Sequence, residues 1–308
     1  MILSVDIGGT AVKLGLVDRE GVILARHAAD VCFDQYETPI LTTVLRACRE
    51  FLDREQAEIE GAGVSATGQI DDRAGIVIGT NGKIPNYEGA PIKAEMERAL
   101  GVPVHVLNDA NAAALGECFA GAGRGLNHVV MLTLGTGVGG GIVLNGQLYS
   151  GIRGIAGELG HFTLYQDGAP CPCGKRGCLE SYAATTALIQ LAQEATGEQG
   201  LTGRVIFERV AAGDPAMTAV LDRWLDDVAA GITGLVHVFN PEAVLIGGGV
   251  SAQEELLIRP LRQRVLSGVM PRFAEGLQVR RAALGNDAGL IGAAKFFMDR
   301  QQAGKAEA

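Results

Sequence analysis

The sequence predicts a duplicated α/β fold of two domains, each built on a mixed sheet with helices packed against it. Three observations lead there. A strand, a glycine turn carrying threonine and a returning strand occur twice, first around Gly8-Gly9-Thr10 and again around Gly135-Thr136-Gly137. Elsewhere, apolar runs of strand length alternate with stretches of helical period. And 308 residues exceed what a single core usually serves.

The elements follow in order. Ile2–Ile7 and Ala11–Leu16 are the first strand pair, and Val22–Ala29 adds a third strand to make a meander. A helix is expected over 39–53, where Leu41, Val44, Leu45, Cys48, Phe51 and Leu52 form one apolar stripe. A strand at Ala62–Ala66 ends in the turn Thr67-Gly68, and Pro91–Leu100 reads as a helix. Val104–Leu107 is a strand ending at Asn108-Asp109, followed by an alanine-rich helix over Asn111–Phe119.

The second cycle opens with Val129–Leu134 and returns over Gly140–Leu144. Gly151–Leu179 has no clear period, and an irregular stretch of that length usually serves a function. Tyr182–Thr196 and Asp214–Phe239 read as helices, Ala243–Ile246 as a strand ending in Gly247-Gly248-Gly249, and Ala288–Arg300 as a final helix. The expected division is a smaller domain over 1–117, with a terminal helix at 289–303 packing back on it, and a larger domain over 118–288. A ligand cleft is expected between them, with a glycine loop on either wall.

Composition narrows the function. A formal net charge of −9 argues against a nucleic-acid partner, because nothing would offset phosphate repulsion. The apolar runs are too short to span a membrane, and Met1 leads almost directly into a strand, so no signal peptide is expected. The expectation is a cytoplasmic protein whose six cysteines are reduced thiols or metal ligands. Cys32, Cys48 and Cys118 are scattered and read as small buried hydrophobes.

The glycine loops suggest a nucleotide. Asp6-Ile7-Gly8-Gly9-Thr10 sets a carboxylate at a strand end, two glycines where the backbone turns, and a hydroxyl beyond. N–H groups in such a turn can face phosphate oxygens, Lys13 can reach the same phosphates, and Asp6 can hold Mg2+ directly or through water. Taken alone, the loop could equally be a plain hairpin turn. Two further glycine loops after apolar strands, Gly135–Gly141 and Gly247–Gly249, shift the reading to a nucleotide cleft. Neither fits the dinucleotide fingerprint, and the Walker lysine motif is missing from the chain.

A second constellation is sharper. His161 is followed ten positions later by Cys171, Cys173 and Cys178. One imidazole and three thiolates suit tetrahedral Zn2+, and four filled positions make that ion structural. Three cysteines within eight residues of a cysteine-poor chain favour a metal over a bare thiol cluster or redox pair. Glu158 and Glu180 flank this loop closely. Glutamates are ordinary surface residues, yet so close to a metal loop they could accept hydrogen bonds from the hydroxyl pairs of a polyhydroxylated ligand. Asp109 opens a helix after a strand and could be a simple N-cap. It also stands where α/β proteins place ligands, and it is the candidate for the carboxylate that takes a proton from an attacking hydroxyl, with Asn108 orienting the same substrate.

Together, Asp6–Thr10, Asn108–Asn111, Leu134–Gly141, Gly157–His161, Cys171–Glu180, Leu245–Val250 and Leu284–Ala293 resemble the ROK family of sugar kinases and related repressors. That resemblance implies the two-domain actin-like ATPase (ribonuclease H-like) fold and an ATP-dependent kinase acting on the 6-hydroxyl of a hexose, with ATP, Mg2+ and structural Zn2+. It implies Asp109 as catalytic base and Gly68, Asn81, Asn108, Asp109, Glu158, His161 and Glu180 at the sugar, with Asn86 a further candidate. It implies Asp6, Gly8, Gly9, Thr10, Lys13, Thr136, Gly137 and Gly248 at the nucleotide. His161 would give one ring nitrogen to zinc and the other to a sugar hydroxyl. The same resemblance suggests a homodimer.

Many family members carry Pro-Gly where Thr67-Gly68 stands, and a bulkier motif near Asn86-Tyr87. N-acetylmannosamine and β-glucoside kinases also differ there, so the sugar is not fixed by this segment. Two rival readings stand beside the kinase: a sugar-sensing repressor, disfavoured because the phosphate loop starts at Asp6 and leaves no DNA-reading segment, and an actin-like ATPase with a protein client, which leaves the Cys3His loop without a purpose. The metal loop is expected to support the sugar ahead of the nucleotide.

Overall fold

Glycine turns close both strand pairs, and they do so in a computed structural model that describes residues 1–32, 34–80 and 84–306. In chain order the elements are β1 (Ile2–Ile7), β2 (Ala11–Val17), β3 (Ile23–Asp30), α1 (Ile40–Glu55), β4 (Gly61–Ala66), β5 (Gln69–Asp71), β6 (Ile76–Gly79), α2 (Ile92–Leu100), β7 (Val104–Asn108) and α3 (Asp109–Ala120). Next come β8 (Val129–Leu134), β9 (Val138–Leu144) and β10 (Gln147–Leu148). Beyond a long irregular stretch lie α4 (Glu180–Ala183), α5 (Thr185–Thr196), α6 (Gly203–Ala211), α7 (Pro215–Phe239), β11 (Ala243–Gly247), α8 (Arg259–Gly268), α9 (Pro271–Ala274), β12 (Gln278–Arg281) and α10 (Ala288–Ala306).

Two compact units result. The first comprises 1–125, 147–156 and 286–308, and the second 126–146 and 157–285. Residues 118–125, 147–156 and 286–288, assigned to the second domain on sequence alone, therefore lie with the first unit.

In the first unit the sheet runs β3-β2-β1-β4-β7. The β3, β2 and β1 strands are antiparallel, with Asp6 opposite Lys13, while β1, β4 and β7 are parallel. The β4 sequence, Gly-Ala-Gly-Val-Ser-Ala, is small because a helix lies directly on it. A Cβ at Gly63 would stand 1.9 Å from the carbonyl oxygen of Ala293 in α10, so no larger residue fits. The α10 and α3 helices meet as tightly, for a Cβ at Gly292 would stand 1.7 Å from the Ala112 carbonyl oxygen. Small residues let two backbones touch, and alanine-rich α3 and the terminal helix are one packed pair.

The terminal helix also covers His105 of β7, whose ring centroid lies 6.4 Å from Phe296 and 5.8 Å from Phe297. Burial, aided by the charges of Lys93 and Arg300, pulls its pKa down to about 4. With an unfolded value near 6.5, the unfolded chain takes up this proton first as pH falls. The neutral ring therefore contributes fully above about pH 6.5, and that contribution is lost as pH falls through about 4, up to about 3 kcal/mol in all. Urea melts of the parent and His105→Gln at pH 7 and pH 4.5 check this. The parent should lose more stability than the variant, and equal losses would refute the assignment.

In the second unit, β9-β8-β11-β12 repeat the pattern: an antiparallel pair, then two parallel steps. The β9 strand starts at Val138, three residues after Gly135, so Gly139–Gly141 lie in the strand and not in the turn. The core of this unit holds Trp224 of α7, fully buried, whose indole N–H donates to the Ala184 carbonyl at 3.2 Å. That residue is where the single helix expected over Tyr182–Thr196 breaks into two. Ala184 is extended, with φ −66° and ψ 154°. The structure adds the β5–β6 hairpin, α6, α8, α9 and β12, which were not expected from the sequence.

Candidate active site

Each unit carries one set of the sequence-predicted residues. In the first, the turn between β1 and β2 is closed by the Gly8 N–H donating to the Ala11 carbonyl at 3.0 Å, and the Tyr36 hydroxyl donates to the Gly9 carbonyl. Thr10 is exposed beyond it. Asp6 sits below the turn with both oxygens engaged. Ser65 of β4 donates to Oδ1 at 2.7 Å, and the Lys13 ammonium lies 3.3 Å from Oδ2. A carboxylate held this way is suited to a hydrated Mg2+, reached through water.

The parallel strands β4 and β7 end side by side, with Ala66 opposite Asn108. Asn108, and not Asp109, is the N-cap of α3: its Oδ1 accepts the Ala110 N–H at 2.9 Å and the Asn111 N–H at 3.1 Å. Its amide nitrogen donates to the Gly68 carbonyl at 2.9 Å and to Asp109 Oδ1 at 3.0 Å. Gly68 needs its φ of +94°, a conformation costly to residues with a Cβ. Asp109 is the first helical residue, and its Oδ1 also accepts the Ala110 N–H at 2.8 Å. The capping duty thus falls on the asparagine, which in turn fixes the carboxylate beside it. Asn81 lies outside the described residues. Asn86 has φ +55° and precedes Tyr87, a residue that sequence reasoning did not single out. Tyr87 is fully buried, and its hydroxyl has no hydrogen-bond partner among the described residues. Burial first, then the charges of Asp109 and Asp6, push its pKa up.

In the second unit the Gly135–Gly137 turn is closed by the Gly135 N–H donating to the Gly137 carbonyl at 3.0 Å. The Thr185 N–H donates to the Gly135 carbonyl at 2.8 Å, and the Thr186 hydroxyl to the Thr136 carbonyl at 3.0 Å. Gly248 follows β11 with φ +91°, and a Cβ there would stand 2.1 Å from the Leu134 carbonyl oxygen. These elements open on a cavity of ≈ 280 Å³ whose wall includes Thr136, Thr185, Thr186, Gly203, Arg204 and Gly249. Thr185, Thr186, Gly203 and Arg204 were missed on sequence. The first two sit where the helix breaks, and the last two open a helix that was not foreseen.

Leu159–His161 forms one turn of 3₁₀ helix ahead of the cysteines. The His161, Cys171, Cys173 and Cys178 ligand atoms all lie within 4.8 Å of one another. Cys171 Sγ is 3.6 Å from His161 Nδ1, and Cys173 Sγ is 3.6 Å from Cys178 Sγ. Sulfurs bound about 2.3 Å from a tetrahedral Zn2+ lie about 3.8 Å apart, so this set fits the ion. Burial pushes the Cys178 thiol up to about 12, and a bound cation is what would keep it a thiolate. His161 turns Nδ1 to the thiols, while Nε2 is 4.0 Å from Glu158 Oε2. Gly177, with φ +75°, allows the hairpin in the cysteine loop, since a Cβ there would stand 1.7 Å from the Tyr165 carbonyl oxygen. Glu180 opens α4 two residues after Cys178, and its Oε2 accepts the Val138 N–H at 2.9 Å.

Two sheets of one pattern, each with a glycine turn after its first strand, define an α/β protein of the actin-like ATPase fold. The chain belongs to the ROK family, whose family model matches residues 2–300. It is 36% identical to a glucokinase from Thermotoga maritima over 97% of this chain and 98% of that one. The structure of a ROK family glucokinase from Streptomyces griseus in complex with glucose and AMPPNP is 35% identical, with a TM-score of 0.80 over 96% of this chain and 98% of that one. A ROK hexokinase from Thermus thermophilus is 33% identical, with a TM-score of 0.84 over 98% and 99%.

Proposed function

We propose that this chain is an ATP-dependent hexose kinase that transfers the γ-phosphoryl group of ATP to the 6-hydroxyl of glucose. The observation that carries the chemistry is the fixed carboxylate of Asp109, set at the start of α3 by Asn108 and the Ala110 N–H. Phosphoryl transfer asks the protein for position and charge neutralisation, with one group to accept the hydroxyl proton late in the reaction. Asp109 is that group. The residues that would hold the sugar are Gly68, Asn108, Glu158, His161 and Glu180. The nucleotide lies with Gly8, Gly9, Thr10 and Lys13 of one turn and Thr136, Gly137 and Gly248 of the other.

Asp6 would hold Mg2+ through water, and that ion would supply neutralisation of the phosphate charge. His161, Cys171, Cys173 and Cys178 would hold Zn2+, which would fix the imidazole and leave Nε2 for a sugar hydroxyl. A reducing cytoplasm suits those thiols. Among the described residues, no helix is long and apolar enough to cross a membrane. The proposed assembly is a homodimer, as the family resemblance suggests, and sedimentation of the purified chain checks it.

The test is a coupled ADP-release assay over glucose, mannose, fructose, N-acetylglucosamine, N-acetylmannosamine and a β-glucoside, with 6-deoxyglucose as control. Glucose should give the highest kcat/KM, and 6-deoxyglucose no turnover. Sugar binding without phosphorylation of any member would replace the kinase with a sugar sensor.

A further inference from the structure

The metal loop reaches the glycine turn of the second unit along two arms. The first is Gly157–His161, which packs on β9. A Cβ at Gly140 would stand 2.5 Å from Leu159 Cγ, and one at Gly160 would stand 2.3 Å from the Val138 carbonyl oxygen. The second runs from Cys178 into α4. The Leu179 N–H donates to the Phe162 carbonyl at 3.0 Å and the Ser181 N–H to the Cys178 carbonyl at 3.1 Å, so the ligand residue and the first turn of α4 form one braced piece.

From that piece Glu180 crosses to the turn. Its Oε2 accepts the Val138 N–H at 2.9 Å, and a Cβ at Gly137 would stand 2.4 Å from the same oxygen. The glycine is therefore the space in which the carboxylate sits. Five residues on, Thr185 donates to the Gly135 carbonyl, completing a clamp around the turn. A turn of two glycines and a threonine has much conformational freedom to lose, and a charge-assisted bond to its backbone removes some of that freedom in advance.

We propose that Glu180 is the positioning residue that couples the Cys3His loop to the Gly135–Gly137 turn, so that nucleotide affinity depends on the metal as well as sugar affinity. One carboxylate oxygen serves the turn. The other is left to the sugar side, which reconciles this role with the one assigned above. The proposal rests on the reading that this turn holds the nucleotide phosphates.

The experiment is calorimetric titration with Mg2+ and a non-hydrolysable ATP analogue in the absence of sugar, on the parent, Glu180→Ala and Glu180→Gln, each with and without chelation of the metal. Zinc content is measured in parallel. Glu180→Ala should bind the analogue roughly 10- to 100-fold more weakly than the parent. Glu180→Gln retains a carbonyl acceptor for the Val138 N–H and should stay within a few-fold. Both variants should keep their zinc, because Glu180 is not a ligand.

Chelating the parent should reproduce most of the Glu180→Ala loss, and chelating Glu180→Ala should add little, as expected when two changes break one path. If Glu180→Ala does not fold, the chelated parent and Glu180→Gln still decide the matter. Parent-like nucleotide affinity in the chelated parent, or strictly additive losses, overturns the coupling while the kinase reading stands. A zinc-loaded parent that binds no nucleotide overturns both.

Discussion

Asp109→Asn is expected to lower kcat by about three orders of magnitude while sugar affinity stays within a few-fold of the parent. The substitution keeps the shape of the side chain. The carbonyl oxygen of the new amide can still accept the Ala110 N–H that Oδ1 now accepts at 2.8 Å, so the first turn of α3 has no reason to unwind. The cap itself belongs to Asn108, whose two bonds to the Ala110 and Asn111 N–H groups are untouched. What the amide cannot do is take the proton of the attacking hydroxyl. In phosphoryl transfer that proton moves late, so the deficit falls on turnover and not on binding. The check is steady-state kinetics beside calorimetric sugar binding. Turnover within tenfold of the parent removes Asp109 from the mechanism. By contrast, Asn108→Ala should damage both quantities, because Asn108 links the Gly68 carbonyl, the helix cap and the Asp109 carboxylate.

The duplicated strand, turn and strand were legible in the sequence because strand burial and backbone turns are local. Ile2–Ile7 and Val129–Leu134 are mostly apolar, and glycine marks each reversal. The metal ligands were legible for a similar reason: the spacing from His161 to Cys178 is short enough for one loop to close on one ion. Roles that depend on a distant partner were not. Ala184 breaks a helix because its carbonyl meets Trp224, 40 residues on, while the next N–H bonds to Gly135. No residue near Ala184 announces this.

Glu180 read as a sugar ligand from its neighbourhood, and the bond to Val138, 42 residues away, gave it a second duty. Tyr87 looked like part of a variable segment until its burial beside two charged carboxylates was seen. Asp72 and Arg300, 228 residues apart and joined at 2.6 Å, tie the β5–β6 hairpin to α10 with no trace of this in either local sequence.

Removing the metal is expected to be as damaging as removing the catalytic carboxylate, through binding instead of chemistry. Over 149–179 the described backbone holds a single 3₁₀ turn at Leu159–His161 and two isolated bridges, Thr163 to Cys178 and Pro170 to Arg176. Packing of Leu159 and Gly160 on β9 anchors the backbone of this arm, but the aim of the His161 ring and the Cys171–Cys178 turn depends on the ion, whose binding energy is also folding energy for this loop. Cys178→Ser should abolish stoichiometric zinc and weaken glucose binding by about 100-fold or more, since His161 loses its fixed tautomer and direction together.

The nucleotide should weaken by less, about tenfold, because only the path through Glu180 is cut, while the Gly8–Thr10 turn keeps its own bonds to Ala11 and Tyr36. The sequence alone suggested that sugar affinity suffers before nucleotide binding; the Glu180–Val138 bond keeps that order and supplies a path by which the nucleotide is weakened too. Much of the global fold should survive, for the second unit's core around Trp224, Leu132, Val244 and Ile246 is built chiefly from β8, β11 and α7, and the loop adds only Leu159 and Leu179 to its buried members. Circular dichroism near that of the parent, with zinc gone and glucose affinity collapsed, is the expected signature. Parent-like glucose affinity in a zinc-free chain would show that the loop stands without its metal.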